Sequence, residues 1–423
     1  MGVMIGGSPR RTDGGEPADS DSDGEDGVEK QPPAEETSGL TRWYEAAADR
    51  ASSVRPADLS RRLSPFGSEE RLTLLFYNAW LLDGVDLPEV EFGPLGSVSP
   101  GTIGRMPDLE GRTRDLCRAL YGSNYDIVAL CELFQASTRE TLADQVDGVT
   151  DTHAGPGSVP LERIALPSKH SGLYTLTAND NPIVDTTDRG FDHRGNSLRD
   201  ADFYANKGAQ HIEVDVGPGN LDVFTTHLIH GGDLNLDPAD IPFADPASIE
   251  EYRARQLSEL AEFVQAASSE ENITVVTGDF NLNAADPGFV AERNRGEDEM
   301  FAEFLSTCSL YDAWERHGGT VGTTYIEHGP PGGMDRAKID PVNPNYLEDH
   351  GERCEYDDAP DRRIDYVLIE EPQPGHAFEL EVEHIRRRHF WRGKTNTREF
   401  WATPDVPNYI SDHIGLELEV NVE

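Results

Sequence analysis

The sequence predicts a mixed α/β domain dominated by short strands, on three observations. Eight apolar runs of strand length lie between residues 72 and 420. Helical patterns alternate with some of them. Several runs follow one another with no helix between, so the sheets must contain antiparallel as well as parallel neighbours.

The runs are LTLLFY (72–77), DIVALC (126–131), GLYTLT (172–177), HIEVDV (211–216), LDVFTT (221–226), ITVVT (273–277), IDYVLI (364–369) and IGLELEV (414–420). Each is short, rich in branched or aromatic side chains and bounded by polar or turn-forming residues. The clearest helix is 249–267, where Tyr252, Leu257, Leu260, Phe263 and Val264 share one face. Ser248 and Glu251 form a capping box at its start. Residues 109–120 and 300–314 also read as helices, and 83–104, 148–170, 231–247 and 318–360, rich in Gly, Pro and Asp, as loops.

Ahead of these, residues 1–38 are mostly Gly, Pro, Ser and acid, too poor in apolar surface to order themselves, and are expected to be a disordered acidic tail. Residues 39–69 read as a helical lead-in, with Leu40, Trp43, Tyr44 and Ala47 at helical spacing. The rest, 70–423, is expected to be one large domain with insertions.

The formal net charge is −43, and only five of the 36 basic residues are lysine. Such a charge destabilises a compact chain in dilute buffer. At molar salt the screening length shrinks to about 3 Å, so the composition reads as adaptation to a high-salt environment. The same screening keeps nucleic acid open as a ligand despite the acidity. Cys117, Cys131, Cys308 and Cys354 show neither CxxC spacing nor a dense framework and are expected to be free thiols. No run approaches a membrane span and no secretory apolar region follows the paired arginines, so a cytoplasmic monomer is expected.

The chemistry gathers at strand ends. The first run is followed by Asn78, the second by Glu132 and the fifth by His227. The sixth ends in TGDFN, with Asp279 and Asn281 two residues apart and hence on one face of a strand. Asp365 opens the seventh, and Asp412 and His413 precede the eighth. Taken singly, each is a cap or a satisfied core residue. Six strands in series with a carboxylate, amide or imidazole at one end require that ordinary reading to hold six separate times. Oxygen donors without thiolates suit a hard cation, Mg²⁺ or Mn²⁺. Two histidines beside spare Asp and Asn can move protons and bind phosphoryl oxygens. With no Walker loop and no nucleophile elbow, the set fits metal-assisted hydrolysis by water.

In order, LLFYNAWLL, DIVALCELF, TTHL, VVTGDFN, RRIDYVL and SDH resemble the motifs of the endonuclease/exonuclease/phosphatase superfamily, from about residue 70 to 423. The resemblance implies a four-layer α/β/β/α sandwich, two mixed sheets packed face to face, with the active site at one end. It implies that Glu132 holds Mg²⁺ with Asn78 and Asp412, and that His413 is the general acid–base oriented by Asp365. It further implies that His227 donates to a phosphoryl oxygen, that Asp279 aligns the nucleophile or leaving group, and that Asn281 binds the phosphate. Cys131 stands where the family commonly has Gln, which puts one supporting hydrogen bond in question.

DADFYANKG, with Asp202 five residues before Lys207, is similar to the D-x-x-x-x-K-G element of the neutral sphingomyelinase branch, in which the Lys reaches the phosphate. Residues 386–401 interleave six basic residues with Phe390, Trp391, Phe400 and Trp401. They either dock a lipid surface, stack on nucleic-acid bases, or pack on the fold with their arginines paired to acids. The leading expectation is a Mg²⁺-dependent phosphodiesterase on a phospholipid-type substrate. The others are a nuclease on DNA or RNA, and a dead family domain that only binds, which predicts the loss of a strand-end residue; none is lost.

Overall fold

The computed structural model describes residues 70–81, 83–86, 90–91, 97–98, 102–105, 109–159, 169–195, 201–230, 248–283, 297–318, 324, 363–388, 390, 410–411 and 413–423. The expected tail 1–38, the lead-in 39–69, Asp412, and residues 389 and 391–401 of the basic-aromatic stretch lie outside them.

The first half of the chain runs β1 (Glu70–Leu81), β2 (Asp83–Asp86), β3 (Val90–Glu91), β4 (Ser97–Val98), β5 (Thr102–Arg105), α1 (Leu109–Leu120), β6 (Ile127–Leu133), α2 (Ala136–Gln145), β7 (Val149–Ala154) and β8 (Tyr174–Ala178). The second runs β9 (Ile183–Gly190), β10 (Gly208–Asp215), β11 (Asn220–His227), α3 (Ile249–Ala267), β12 (Ile273–Asp279), α4 (Glu297–Thr307), β13 (Leu310–Asp312), α5 (Ala313–His317) and β14 (Asp365–Glu370). The hairpin β15 (Leu380–Arg388) and β16 (Gly415–Val422) follows.

Two six-stranded sheets result, in the orders β15-β16-β1-β6-β8-β7 and β13-β14-β12-β11-β10-β9. Each has one central parallel pair, β1 with β6 and β11 with β12, and antiparallel neighbours on both sides. Read in chain order, β1-α1-β6-α2-β7-β8 and β11-α3-β12-α4-β13-β14 follow one path, and the hairpins β15-β16 and β9-β10 complete each sheet beside β1 and β11. The architecture is thus one half built twice.

Strand alternation sets the layers. Leu72, Leu74, Phe76, Ile127 and Ala129 of the first sheet share one core with Leu221, Val223, Ile273, Val275 and Val367 of the second. The opposite faces take helices: Leu75, Tyr77, Val128 and Leu130 pack with Leu116 and Leu142, while Phe224, Val276 and Tyr366 pack with Leu257, Leu260 and Phe263. This is the expected four-layer α/β/β/α sandwich.

Several expectations need correction. The run 300–314 is not one helix: Ser309 turns left-handed (φ 54), and Leu310–Asp312 leaves to pair with β14. The expected loop 148–170 begins with strand β7, and 83–104 holds the ribbons β2–β5 and β3–β4. Edge strands β9 and β15 and helix α2 had no apolar run to announce them. In the basic-aromatic stretch, Arg386 bonds Glu417 (2.6 Å) and Glu419 (2.9 Å), Arg388 bonds Glu417 (2.9 Å), and Phe390 packs edge-on against Tyr77 (4.8 Å). In its described part Arg386 and Arg388 therefore pair with acids on the neighbouring strand. Cys117, Cys131 and Cys308 are free, as expected, and buried; Cys354 lies outside the described residues.

Candidate active site

Alternation also builds the site. Asn78, His227, Asp279 and Asp365 fall on the same parity as the inward residues Phe76, Val223, Val275 and Val367. Each therefore continues the inter-sheet face just where the apolar core stops. His227 and Asp279 are register partners, and Asp279 and Asp365 are too, so the second sheet presents three of these groups in one row. Gly278 is required here, because a Cβ would lie 2.4 Å from the Thr226 carbonyl oxygen.

Glu132 breaks the alternation. Cys131 faces the inner core and Leu133 the helix side. Between them Glu132 adopts a left-handed conformation (φ 65), opposite an irregularity in β1 where Trp80 is left-handed too (φ 48). The bulge turns the carboxylate inward, to 3.8 Å from His227 Nε2 on the other sheet. Strain of this kind persists only where the surroundings hold it. Arg139 contributes, donating to the carbonyls of Leu133 (2.6 Å) and Phe134 (3.0 Å).

The groups meet across the sandwich. Asn78 Nδ2 donates to Asp279 Oδ2 (2.9 Å) and lies 3.3 Å from His413 Nε2, while Asn78 Oδ1 accepts from the Trp80 amide (3.0 Å). His413 Nδ1 bonds Asp365 Oδ2 (2.8 Å), and its Nε2 lies 3.7 Å from Asp279 Oδ2. His227 Nε2 lies 3.4 Å from the same Asp279 oxygen. Asp279 Oδ1 accepts the Asn281 amide (2.9 Å), and Asn281 itself is left-handed (φ 52).

Asp202 and Lys207 adjoin this cluster. Lys207 Nζ, buried, lies 3.1 Å from Asp202 Oδ1 and 3.4 Å from the Leu228 carbonyl, which also accepts from Asn281 Nδ2 (3.0 Å). Asp202 Oδ2 accepts from the His230 amide (2.7 Å). Nine of the ten expected site residues thus form one connected region, and the tenth, Asp412, lies outside the described residues.

Burial and charge tune the groups. Burial pushes the His227 imidazole down to about 3, with Lys207 acting the same way, so it is neutral at pH 7. Burial opposes ionisation of Asp279, but His413, His227, Lys207 and the Asn78 amide outweigh it and hold the carboxyl below its usual range. Asp365 is pushed up to about 6 by burial, against the pull of His413. Asp202 is held down by Lys207 despite burial.

Three carboxylates, Glu132, Asp279 and Asp365, converge here, and Lys207 beside them already faces Asp202. Asp365 Oδ1 is buried with no hydrogen-bond partner among the described residues. An excess of hard oxygen donors in an enclosed space fits a divalent cation. Asp279, Asp365 and His413 also bring ligand atoms within 4.8 Å of one another; that group differs from the expected Glu132, Asn78 and Asp412 set.

Sequence reasoning missed Thr324. Its hydroxyl accepts the amides of Ile364 and Asp365 (both 3.1 Å), and its carbonyl accepts the Ile414 amide (2.7 Å). One buried residue therefore sets the starts of both strands that deliver Asp365 and His413. Nothing in the surrounding Gly- and Thr-rich stretch distinguishes it.

The family model for the Endonuclease/Exonuclease/phosphatase family matches residues 90–413. The chain belongs to that family. A Caenorhabditis elegans protein named "Putative neutral sphingomyelinase" is 27% identical over 247 residues, 58% of this chain. The match spans about half (46%) of that relative's own length. Among solved structures, a Beutenbergia cavernae endonuclease/exonuclease/phosphatase is similar at 17% identity and a TM-score of 0.47, over 84% of this chain and 72% of that one. Sphingomyelinase C from Streptomyces griseocarneus (17% identity, TM-score 0.43) and D. rerio TDP2 complexed with single strand DNA product (15%, 0.47) each cover 83% of this chain and 99% of their own.

Proposed function

We propose that the chain is a Mg²⁺-dependent phosphodiesterase that cleaves a phospholipid-type phosphodiester by in-line attack of water. The observation that carries this reading is the hydrogen-bonded line Asp365–His413–Asn78–Asp279, which crosses from one sheet to the other beside Glu132. Glu132, Asn78 and Asp412 would hold the cation, with Mn²⁺ able to replace it. When bound, the ion supplies positive charge to the phosphoryl oxygens.

The chain's own groups do the rest. Asp365 accepts from His413 Nδ1, which fixes the imidazole tautomer and leaves Nε2 to take a proton from the attacking water. Asp279 orients that water or the leaving group. Lys207, armed by Asp202, the neutral imidazole of His227 and the Asn281 amide converge through the Leu228 segment to bind phosphoryl oxygens.

The phospholipid-type substrate is supported by the neutral sphingomyelinase name of the C. elegans relative and by the Asp202–Lys207 pair, which meets at 3.1 Å. Among the described residues no helix is long and apolar enough to cross a membrane, so such a substrate would be met at the membrane surface. The −43 charge supports work at high salt; the same reading keeps a cytoplasmic monomer, with 1–38 as an acidic tail and 39–69 as a lead-in to the catalytic domain 70–423. The deciding assay uses molar salt and Mg²⁺, with choline- and glycerol-headgroup phospholipids, plasmid DNA and RNA offered side by side. Release of a phosphorylated headgroup is expected; nicking of DNA or cleavage of RNA without lipid turnover would overturn the lipid reading in favour of a nuclease.

A further inference from the structure

The two crossover helices each carry one polar side chain with no exposure at all in an apolar stripe, Arg112 on α1 and Gln256 on α3 (both 0%), beside the less deeply buried Thr113 (4%) and Glu259 (7%). Desolvating a guanidinium or an amide inside a helix–sheet core is costly unless it satisfies defined partners. Their partners correspond. Arg112 Nη2 donates to the carbonyl of Trp80 (3.4 Å), two residues beyond Asn78, and to that of Ile410, three residues before His413. The guanidinium also lies over the Trp80 ring, 5.1 Å from its centroid. Gln256 Oε1 accepts from the amide of Ile229 (2.8 Å), two residues beyond His227. Its Nε2 donates to the carbonyl of His193 (2.6 Å), in the segment whose Phe191 amide bonds the Lys207 carbonyl (2.8 Å).

Each helix therefore ties the exit of its half's first parallel strand to the connection that delivers a second site side chain of that half. In the first half these are Asn78 and His413; in the second, His227 and Lys207. The two halves share a path but not a residue type here, so a like contact reached by unlike side chains points to a common mechanical task. We infer that Arg112 and Gln256 are a matched pair of positioning residues, each setting the strand-exit and connection groups of its own half and not of the other. Neither touches the reacting atoms.

The test is a comparison of Arg112→Lys, Arg112→Met and Gln256→Met in the full chain. Histidine ring ¹H–¹³C signals are recorded at one pH without added metal, and His413 and His227 are identified by His413→Gln and His227→Gln. The Arg112 variants should move the His413 signal and leave His227 in place; Gln256→Met should do the reverse. Should Arg112→Met fail to fold, Arg112→Lys keeps the charge while losing the planar guanidinium whose Nη2 reaches both carbonyls. Signals that move together in every variant, or that stay put while the unfolding midpoint drops, would overturn the assignment and leave two purely structural residues. A kinetic arm rests on the phosphodiesterase reading: kcat should fall about 10²-fold, as misplacement near 1 Å does, with KM within about threefold. If the wild-type chain turns over no phosphodiester, that reading fails while the resonance arm still decides this one.

Discussion

The two halves of the sandwich follow one path through space but carry different chemistry at matching places. Where the first sheet ends its parallel pair in Asn78 and Glu132, the second ends it in His227 and Asp279. Where the connection into β16 brings His413, the connection into β10 brings Lys207. Where β14 opens with Asp365 opposite Asp279, the residue that lies against the Glu132 backbone is Gly172, whose carbonyl accepts the Leu133 amide (2.9 Å). Sheet topology thus fixes where side chains converge, and residue choice alone decides what they do there. Neither half holds a complete site: the imidazole of His413 comes from one sheet and its carboxylate partner Asp365 from the other.

The largest way to break the comparison is to remove the group that both halves contact. His413→Ala should lower turnover about 10²–10⁴-fold, the range of a lost general acid–base, while thermal unfolding stays close to wild type. Activity within tenfold of wild type would take the proton-transfer role from His413.

Its counterpart Lys207 should behave differently, because it is a buried charge whose acidic partner, Asp202, is only partly exposed. Asp202→Asn strands that ammonium and is expected to cost about 3–5 kcal/mol of stability, read from denaturant midpoints. A loss as small as that of a surface pair would mean that solvent reaches Lys207.

Gly172 sharpens the contrast with Asp365. It is left-handed (φ 81), and a Cβ there would lie 3.0 Å from the Phe134 ring and 3.2 Å from Glu132 Cα. Gly172→Ala should cost about 1–3 kcal/mol, and Gly172→Asp, which copies the other half's residue, at least as much. A neutral Gly172→Asp would show that the halves are interchangeable at this place.

The effect that is smallest near neutral pH is a slope that opens in acid. His227 has a folded pKa of about 3, below its ordinary 6.5. Between those values the unfolded chain binds the proton and the folded chain does not, so this residue draws stability down as pH falls below 6.5 and has no effect above it. His227→Gln should flatten the acid limb of stability against pH in that window; an unchanged slope would place the acid sensitivity elsewhere.

Much of this was legible in the sequence, for identifiable reasons. The central strands are buried on both faces and wrote continuous apolar runs, so ITVVTGD and DIVALC revealed both their strands and the polar residues at their ends. Edge strands did not: VTDTHA, IVDTTDRG and LEVEHIRRR bury little, and polar side chains blunt their open edges. The tight turn at Ser309 hid β13, because LYDAW carries on the apolar rhythm of the helix before it. Within the site the strand-end residues announced themselves, and the residues that place them did not. Thr324 left no trace. Arg112 and Gln256 left a faint one: each is a polar residue at a helical position where Leu116 and Leu120, or Tyr252 and Leu260, call for an apolar one.

The most direct test of a single site assembled from both halves is a double-substitution cycle on the Asn78–Asp279 contact. Turnover of the best phosphodiester is measured at molar salt with Mg²⁺ for Asn78→Ala, Asp279→Ala and the pair. If the two act as one unit, the double variant should lose little more than the worse single. Losses that multiply would contradict a shared site, as would a wild-type chain that cleaves no phosphodiester.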